Sequence, residues 1–447
     1  MAQSLFQSMA AVISFRPLAA EKVRTPHLFL ACLVMMCLLP VEGYAQPNDT
    51  LRVMMYNLLN FPDAVPAGRA DTFKTIAQAT QPDLLLICEL KTGAGADLLL
   101  DRGLNTDGIS RYRRADYVSN TSSGADLQNM AIYNQDKLAL YEQAVLRTQV
   151  RDINRYTFFF RDPFLAGHRD TTWLDAYVLH FKAGNTPGDA ASRGRMADTL
   201  RAEIYRRGPG RSVIVGGDFN VYTSAEYAYA SLDDPYASVW MRDPANRTGS
   251  WNNNSSFADV HTQSTRTSSI FGDGSGGGLD DRFDFLLLSS NVLVGSGPIA
   301  YVADSYEAFG NSGNCFNQTI FSCEPNPVSR RIRSALYYQS DHLPVILDLA
   351  VTYPIFNGVG TASASQSGKA WWHDQTMRWN LPGDGRGKWQ LIDLTGRVVA
   401  FGRTAGPEGS WTAPPAWIAS TPILLWHWIG DDGQLISHKI APRSAYF

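Results

Sequence analysis

Charge, cysteine and long apolar runs are all scarce in this sequence. Only 18% of the 447 residues are charged, 39 basic against 42 acidic, and the formal net charge is −3. That balance excludes a protein that coats polyanions through bulk charge, although a local basic mouth is compatible with it. Apolar residues reach 45%, which excludes a disordered chain and a collagen-like one. No internal repeat is evident. Among the five cysteines none has a Cys/His spacing that resembles a zinc site. A single apolar run, Leu28–Pro40, is prominent, and it is too short to span a bilayer.

Arg16, Lys22 and Arg24 precede that run, and Gly43-Tyr44-Ala45 follows it with small residues suited to cleavage. The pattern predicts a secretory signal over residues 1–45 and an exported protein, secreted or at the cell surface, with no transmembrane segment once the signal is removed. A lipoprotein anchor at Cys32 or Cys37 is the alternative. The segment carries three basic and two acidic residues, so its loss takes the net charge from −3 to −4. In an oxidising compartment Cys315 and Cys323 are expected to close a short loop as a disulfide. Cys88, inside Leu84-Leu85-Leu86-Ile87-Cys88, reads as a buried small apolar residue.

From residue 46 to 353 short apolar runs alternate with polar, Gly-containing turns. Leu51–Leu59, Asp83–Cys88, Asn129–Tyr133, Trp173–Phe181, Ser212–Val215, Phe283–Leu288 and Leu343–Val351 read as strands. Ala70–Thr80 and Ala191–Arg206 have helical spacing. The mixture predicts an α/β (α+β) domain of about 300 residues. Residues 354–368 have linker composition. Beyond them eight of the eleven tryptophans fall between Trp371 and Trp428. Two expected β-hairpins, Trp389–Phe401 and Ile423–Ile440, make residues 369–447 a small β-rich module.

Polar groups interrupt the apolar strands at recurring places. Asn57 breaks the first, Glu89 closes the second, and His180 and Lys182 close a third. Asp218 and Asn220 follow Val213-Ile214-Val215-Gly216-Gly217. Asp284 lies within Arg282-Phe283-Asp284-Phe285, and Asp341-His342 precedes the last strand. Singly, each is an ordinary strand-end polar residue. Together they sit where strands meet loops, the usual seat of function on a rigid scaffold. In extended chain Asp218 and Asn220 point to one side, as do His180 and Lys182, whereas the adjacent Asp341 and His342 point apart. The two glycines before Asp218 permit close backbone approach.

Met55-Tyr56-Asn57, Ile87-Cys88-Glu89-Leu90-Lys91, Leu179-His180-Phe181-Lys182, Gly217-Asp218-Phe219-Asn220, Arg282-Phe283-Asp284-Phe285 and Ser340-Asp341-His342-Leu343-Pro344 resemble, in order, the motifs of the endonuclease/exonuclease/phosphatase superfamily, the DNase I-like fold. The match runs over about residues 51–352. It implies a four-layer α/β/β/α sandwich, followed here by a β-sandwich-like C-terminal module. It also implies cleavage of phosphate esters with a divalent ion, ordinarily Mg²⁺, with Mn²⁺ or Ca²⁺ as alternatives. On that resemblance Glu89 is the principal metal ligand, with Asn57 and Asp341 beside it. Asp218 and Asn220 handle the attacking water and the phosphoryl oxygens. His342, oriented by Asp284, is the general base or a phosphate-polarising imidazole, and His180 is the candidate for protonating the leaving oxygen, with Glu142 as its conjectured acidic partner. A histidine at 180 is similar to DNase I-like nucleases and sphingomyelinase-like phosphodiesterases; the apurinic-site repair branch carries a tyrosine there.

The chemistry agrees with that set on its own terms. A phosphodiester is anionic, so attack by water needs charge neutralisation, which a hard oxygen-liganded ion, imidazole and amide donors supply. Lys182 and Arg331, the latter in the cluster Arg330, Arg331 and Arg333, are candidate phosphate contacts, set against a solvated lysine and a solvated loop. Gly272–Gly277 satisfies a dinucleotide glycine spacing, but no hydrophobic helix follows, and a flexible loop is expected. The expected function is an exported nuclease acting on extracellular nucleic acid. The alternatives are the same machinery aimed at sphingomyelin or an inositol phosphate, and a surface-binding protein that has lost catalysis. The C-terminal module resembles, through Leu391–Val399 and the terminal strand ending at Ile440, a type IX secretion sorting domain, whose partner is the secretion machinery. A carbohydrate- or surface-binding module is the alternative, and tryptophans filling a small core the plainer reading.

Overall fold

The computed structural model describes residues 48–122, 125–162, 171–208, 210–353, 369–373, 376–392, 398–413, 424–431 and 435–440. The expected signal and linker lie outside the described residues. Two large sheets are built from residues 48–353. The first has the order β11-β13-β1-β2-β4-β3, from Ile299–Tyr301, Val345–Thr352, Asn48–Phe61, Leu84–Leu90, Gln128–Asn134 and Tyr112–Arg114, with β12 (Glu307–Ala308) also on β13. The second has the order β5-β6-β7-β8-β10-β9, from Leu138–Leu146, Ile153–Phe160, Trp173–His180, Val213–Asp218, Asp284–Ser289 and Met241–Arg242.

The sheets face each other because their central strands are apolar on both faces. β2 is Leu-Leu-Leu-Ile-Cys-Glu-Leu, and only Glu89 of it is partly exposed. Ala176, Val178, Ile214, Leu286 and Leu288 of the second sheet share one core with Leu84, Leu86, Met55 and Val53 of the first. The alternate residues, Tyr177, Leu179, Val213, Val215, Phe285 and Leu287, turn outward onto Met196, Ala197, Leu200 and Ile204 of the helix Pro187–Arg207. That helix starts with a capping box between Thr186 and Asp189 and a proline in its first turn. The outer side of the first sheet carries two further helices, Arg69–Thr80 and Arg330–Gln339. The result is the expected four-layer sandwich. The sheets approach closely at Gly216: a Cβ there would sit 2.8 Å from Leu86 Cδ1.

The sheets share a strand pattern that decides where the site lies. β1 runs parallel to β2 and antiparallel to β13, and β8 runs parallel to β7 and antiparallel to β10. The carboxyl ends of β1, β2, β7 and β8 and the amino ends of β10 and β13 therefore emerge at one rim.

Residues 369–440 add a three-stranded sheet, β14-β15-β18 (Lys369–His373, Thr376–Asn380, Glu408–Thr412), and a four-stranded one, β17-β16-β19-β20 (Val398–Ala405, Arg386–Ile392, Leu424–Gly430, Leu435–Ile440). Met377 and Trp379 of the one and Trp389, Leu391, Trp426 and Trp428 of the other fill a common core. Most of the described tryptophans here thus serve packing, while Trp371 is exposed.

Candidate active site

Strand register sets the first row of the site. His180, Asp218 and Asp284 are lateral neighbours across β7, β8 and β10. Asn57 of β1 lies beside Cys88 of β2, which puts Glu89 one step beyond it. A β-bulge between Asn57 and Phe61 turns the end of β1, and Leu59, Asn60, Glu89 and Asn220 all hold positive φ, from 47° to 59°. Non-glycine residues in that region are uncommon and concentrate at functional sites.

The side chains converge. Asn57 Nδ2 donates to Glu89 Oε1 at 3.0 Å and to Asp218 Oδ2 at 3.1 Å, and lies 3.4 Å from His342 Nε2. His180 Nε2 is 3.5 Å from Asp218 Oδ2 and 3.9 Å from Glu89 Oε1. His342 Nε2 is 3.8 Å from the same Asp218 oxygen, and its Nδ1 bonds Asp284 Oδ2 at 2.7 Å. Asn60 N donates to the other Glu89 oxygen at 3.1 Å. Asp341 Oδ2 accepts from Ser275 N at 2.7 Å and Gln263 Nε2 at 3.0 Å, and its Oδ1 is buried without a partner among the described residues.

Burial governs the charges. Desolvation, with Asp341 next to it, raises the Glu89 carboxyl above its usual range. Desolvation, together with Asp284 and Glu89, pushes Asp218 up to about 7. Burial drives His180 well below an ordinary histidine, so its imidazole is neutral. Burial opposes the imidazolium of His342 too, but Asp284, Asp341 and Asp218 outweigh it and raise His342 well above the usual value.

Among the described residues no lysine or arginine pairs with Glu89, Asp218, Asp284 or Asp341, so these four carboxylates share the His342 imidazole and no fixed cation. Ligand atoms of Glu89, His180 and Asp218 all lie within 4.8 Å of one another. Carboxylate-rich, partly satisfied and facing an orphaned Asp341 oxygen, the set fits a hard divalent ion. Glu89 belongs to that group together with His180 and Asp218. Asn57 spends its amide hydrogens on Glu89 and Asp218, and its Oδ1 accepts from Leu59 N at 2.9 Å.

Several expectations need correction. Asp341 and His342 do not point apart: both reach the Gln263 amide nitrogen, because they sit in an irregular segment before β13 rather than in extended strand. Asn220 leaves strand alternation at its φ of 51°; its N bonds Asp218 Oδ1 while its Nδ2 donates to Phe181 O. Glu142 is not the partner of His180. It pairs with Arg155 and Arg207, beside Thr157, which is in register with Asp175, five residues before His180 on β7. His180 Nδ1 is buried with no partner among the described residues. Lys182 is tied to Asp189 at 2.9 Å, at the start of its helix. Arg331 is exposed in the first turn of the helix Arg330–Gln339, about 13 Å of helix from Ser340. Cys315 and Cys323 form the expected disulfide.

Two contributors escaped the sequence reading. Arg151, in the β5–β6 connection, donates to Phe181 O at 2.8 Å, and its charge acts on both His180 and Asp218. The glycine-rich loop closes the rim: Ser275 N holds Asp341, and Asp273 accepts from Asn60 Nδ2 at 3.1 Å. Neither position lies in a periodic element, so only polar composition marked them.

The endonuclease/exonuclease/phosphatase family model matches residues 56–342, from the β1 motif to His342. No curated protein matches the chain. Solved structures similar to it include the human Nocturnin catalytic domain with bound sulfate, 15% identical over 69% of this chain and 98% of that one, with a TM-score of 0.41. D. rerio TDP2 with a single-stranded DNA product is 13% identical over 67% of this chain and 99% of that one, at 0.43. The Bacteroides thetaiotaomicron mannosyl-6-phosphatase Bt3783 is 15% identical over 67% and 99%, at 0.40. With most of its length matched, from the first motif strand to the terminal histidine, this chain belongs to the endonuclease/exonuclease/phosphatase family.

Proposed function

We propose that the protein is an exported, divalent-cation-dependent phosphodiesterase that hydrolyses extracellular nucleic acid. The observation that carries the reading is the convergence of Asn57, Glu89, His180, Asp218 and the Asp284–His342 pair at one rim. A bound Mg²⁺ or Mn²⁺ would be held by Glu89 with Asp341 or Asp218 and would neutralise phosphoryl charge. The chain's own groups do the rest. With the charges that keep His342 protonated offset by a cation held at Asp341 or Asp218, the neutral imidazole, its Nδ1–H donating to Asp284, turns Nε2 to the site and takes the proton of the attacking water. Asp218, whose Oδ2 lies 3.8 Å from His342 Nε2, orients that water. The water oxygen bonds to phosphorus while the bond to the leaving oxygen breaks. His180, neutral by burial, gives that oxygen a hydrogen bond from Nε2 rather than a proton, which the leaving oxygen takes from solvent. Arg151 supplies positive charge at the mouth for an anionic substrate. The Cys315–Cys323 disulfide supports export, as does the apolar N-terminal run. The C-terminal strands, on this reading, serve the secretion machinery.

The test is a panel of duplex DNA, single-stranded DNA, RNA, sphingomyelin and inositol phosphates with Mg²⁺, Mn²⁺ or EDTA. Turnover of nucleic acid that EDTA abolishes is expected, with losses on the order of 10²–10³-fold or more in Glu89→Ala and His342→Ala. Lipid-only turnover would overturn the substrate, and full activity in either folded variant would overturn the mechanism.

A further inference from the structure

Residues His261–Arg266 are all polar, and among them only Gln263 is partly exposed. Polar side chains in a row are seldom buried unless each is bonded for a purpose. The segment threads between the stretch that carries Asp284 and the stretch that carries Asp341 and His342. On one side Gln263 N donates to Asp281 O at 3.1 Å, and Gln263 O accepts from Asp280 N at 2.9 Å and Asp281 N at 3.0 Å. On the other, Leu343 N donates to Thr262 O at 2.8 Å and Thr265 N to Asp341 O at 3.0 Å. Thr262 Oγ1 accepts from Phe283 N and Asp284 N, each at 3.2 Å, and Thr265 Oγ1 donates to Ser340 O at 2.7 Å. Backbone on both flanks therefore locks Gln263 in place.

Its side chain then bridges Asp341 and His342. Gln263 Nε2 lies 3.0 Å from Asp341 Oδ2 and 2.7 Å from His342 Nε2. An amide nitrogen carries two hydrogens, and here both have a target. Turned the other way, the amide would set its oxygen against the Asp341 carboxylate. Asp341 thereby fixes which end of the amide faces His342, and the neutral imidazole is left as an acceptor at Nε2. That is the tautomer the Asp284 bond at Nδ1 also requires. With Oδ2 occupied by Gln263 and by Ser275 N, the orphaned Oδ1 is the Asp341 oxygen left for a cation.

We infer that Gln263 is a positioning residue: one amide holds a cation ligand and the base in register, so the two cannot drift independently. The kinetic arm of its test rests on the hydrolase reading above; the spectroscopic arm does not. Gln263→Met keeps length and removes both donors, and Gln263→Glu keeps shape, replaces donors by acceptors and repels Asp341. Both variants are expected to lose about 10–100-fold in kcat with KM nearly unchanged. In the metal-free protein, at a pH above the titration of His342, its Nε2 resonance, read by ¹⁵N NMR, is expected to move downfield in Gln263→Met as its donor disappears, and upfield in Gln263→Glu, whose carboxylate accepts from a protonated Nε2. Thermal melts show which variants are folded, and the isosteric Glu variant decides should the Met variant not fold. A kcat within twofold of wild type, or an unmoved Nε2 resonance, overturns the inference. A wild-type protein that hydrolyses nothing in the panel sinks the hydrolase reading while the resonance still decides for or against Gln263.

Discussion

Asp284 is fully buried and gives one oxygen to His342 Nδ1, while its other oxygen has no partner among the described residues. Its work is directional: a carboxylate can only accept, so it holds the hydrogen on Nδ1 and bares Nε2. Asp284→Asn keeps the shape but offers an NH₂ that stabilises the opposite tautomer. The variant is expected to fold with a near-normal melting temperature and KM and to lose kcat by on the order of 10³–10⁴, as the comparable change does in a Ser-His-Asp triad. Unchanged kcat would show that His342 is not the base. Residues of this kind were legible beforehand because each interrupts an apolar strand at its end, where period-2 alternation makes a polar group conspicuous. Glu89, Asp218, Asp284 and His342 all announced themselves so. Gln263 and Arg151 did not, since each lies in an irregular connection where a polar residue is the norm. Asp341 and His342 project to one side for the same reason: they lie in an irregular segment, where strand alternation does not hold.

At the scale of elements, the strands that carry the site were readable from apolar runs bounded by Gly, Asp and Asn, and both expected helices form, as Arg69–Thr80 and Pro187–Arg207. Arg330–Gln339 is a helix where a solvated loop is expected, because Arg330, Arg331 and Arg333 mask its apolar side, on which Ala335 and Leu336 are buried. Arg333 spends its charge on Glu324 and on the carbonyls of Phe321 and Cys323, beside the disulfide. The glycine-rich loop is the element whose sequence said least and whose placement matters most. Gly274 has φ +79°, and a Cβ there would lie 2.9 Å from Leu59 Cδ2 and 3.0 Å from Asp341 Cγ. Gly272, at φ +73°, would meet nothing within 4 Å. Alanine at either position carries the same left-handed strain, about 1–2 kcal/mol. Only Gly274→Ala also displaces Asp341, so it is expected to lose about tenfold or more in activity and in Mn²⁺ affinity by calorimetry, with Gly272→Ala near wild type. Equal behaviour of the two would mean that the loop does not shape the site.

Over the whole molecule, one rim receives the ends of six strands from two sheets of like pattern, and that topology gathers residues as distant as Asn57 and His342. Spacing along the chain does not encode such a gathering; the order of the motifs does, through the resemblance. The C-terminal strands illustrate the opposite limit, in which composition speaks for packing. Trp426 and Trp428 enter the shared core, and His427 between them, on the other face of β19, is buried in its turn. Burial lowers His427 from 6.5 to about 4. The sign follows: an unfolded chain takes up this proton as pH falls through 6.5, while the folded one resists until about 4. The contribution of a neutral His427 is therefore intact above 6.5 and is lost progressively between 6.5 and 4. Eight of eleven tryptophans lie between Trp371 and Trp428, so intrinsic fluorescence reports mainly on this region. On moving from pH 7.5 to pH 5, the fluorescence-detected melting temperature of the intact chain is expected to fall by several degrees more than that of His427→Gln, whose amide does not titrate. Parallel falls in the two proteins would show that His427 is not the group through which acid loosens these sheets, and that its buried environment does not keep it neutral.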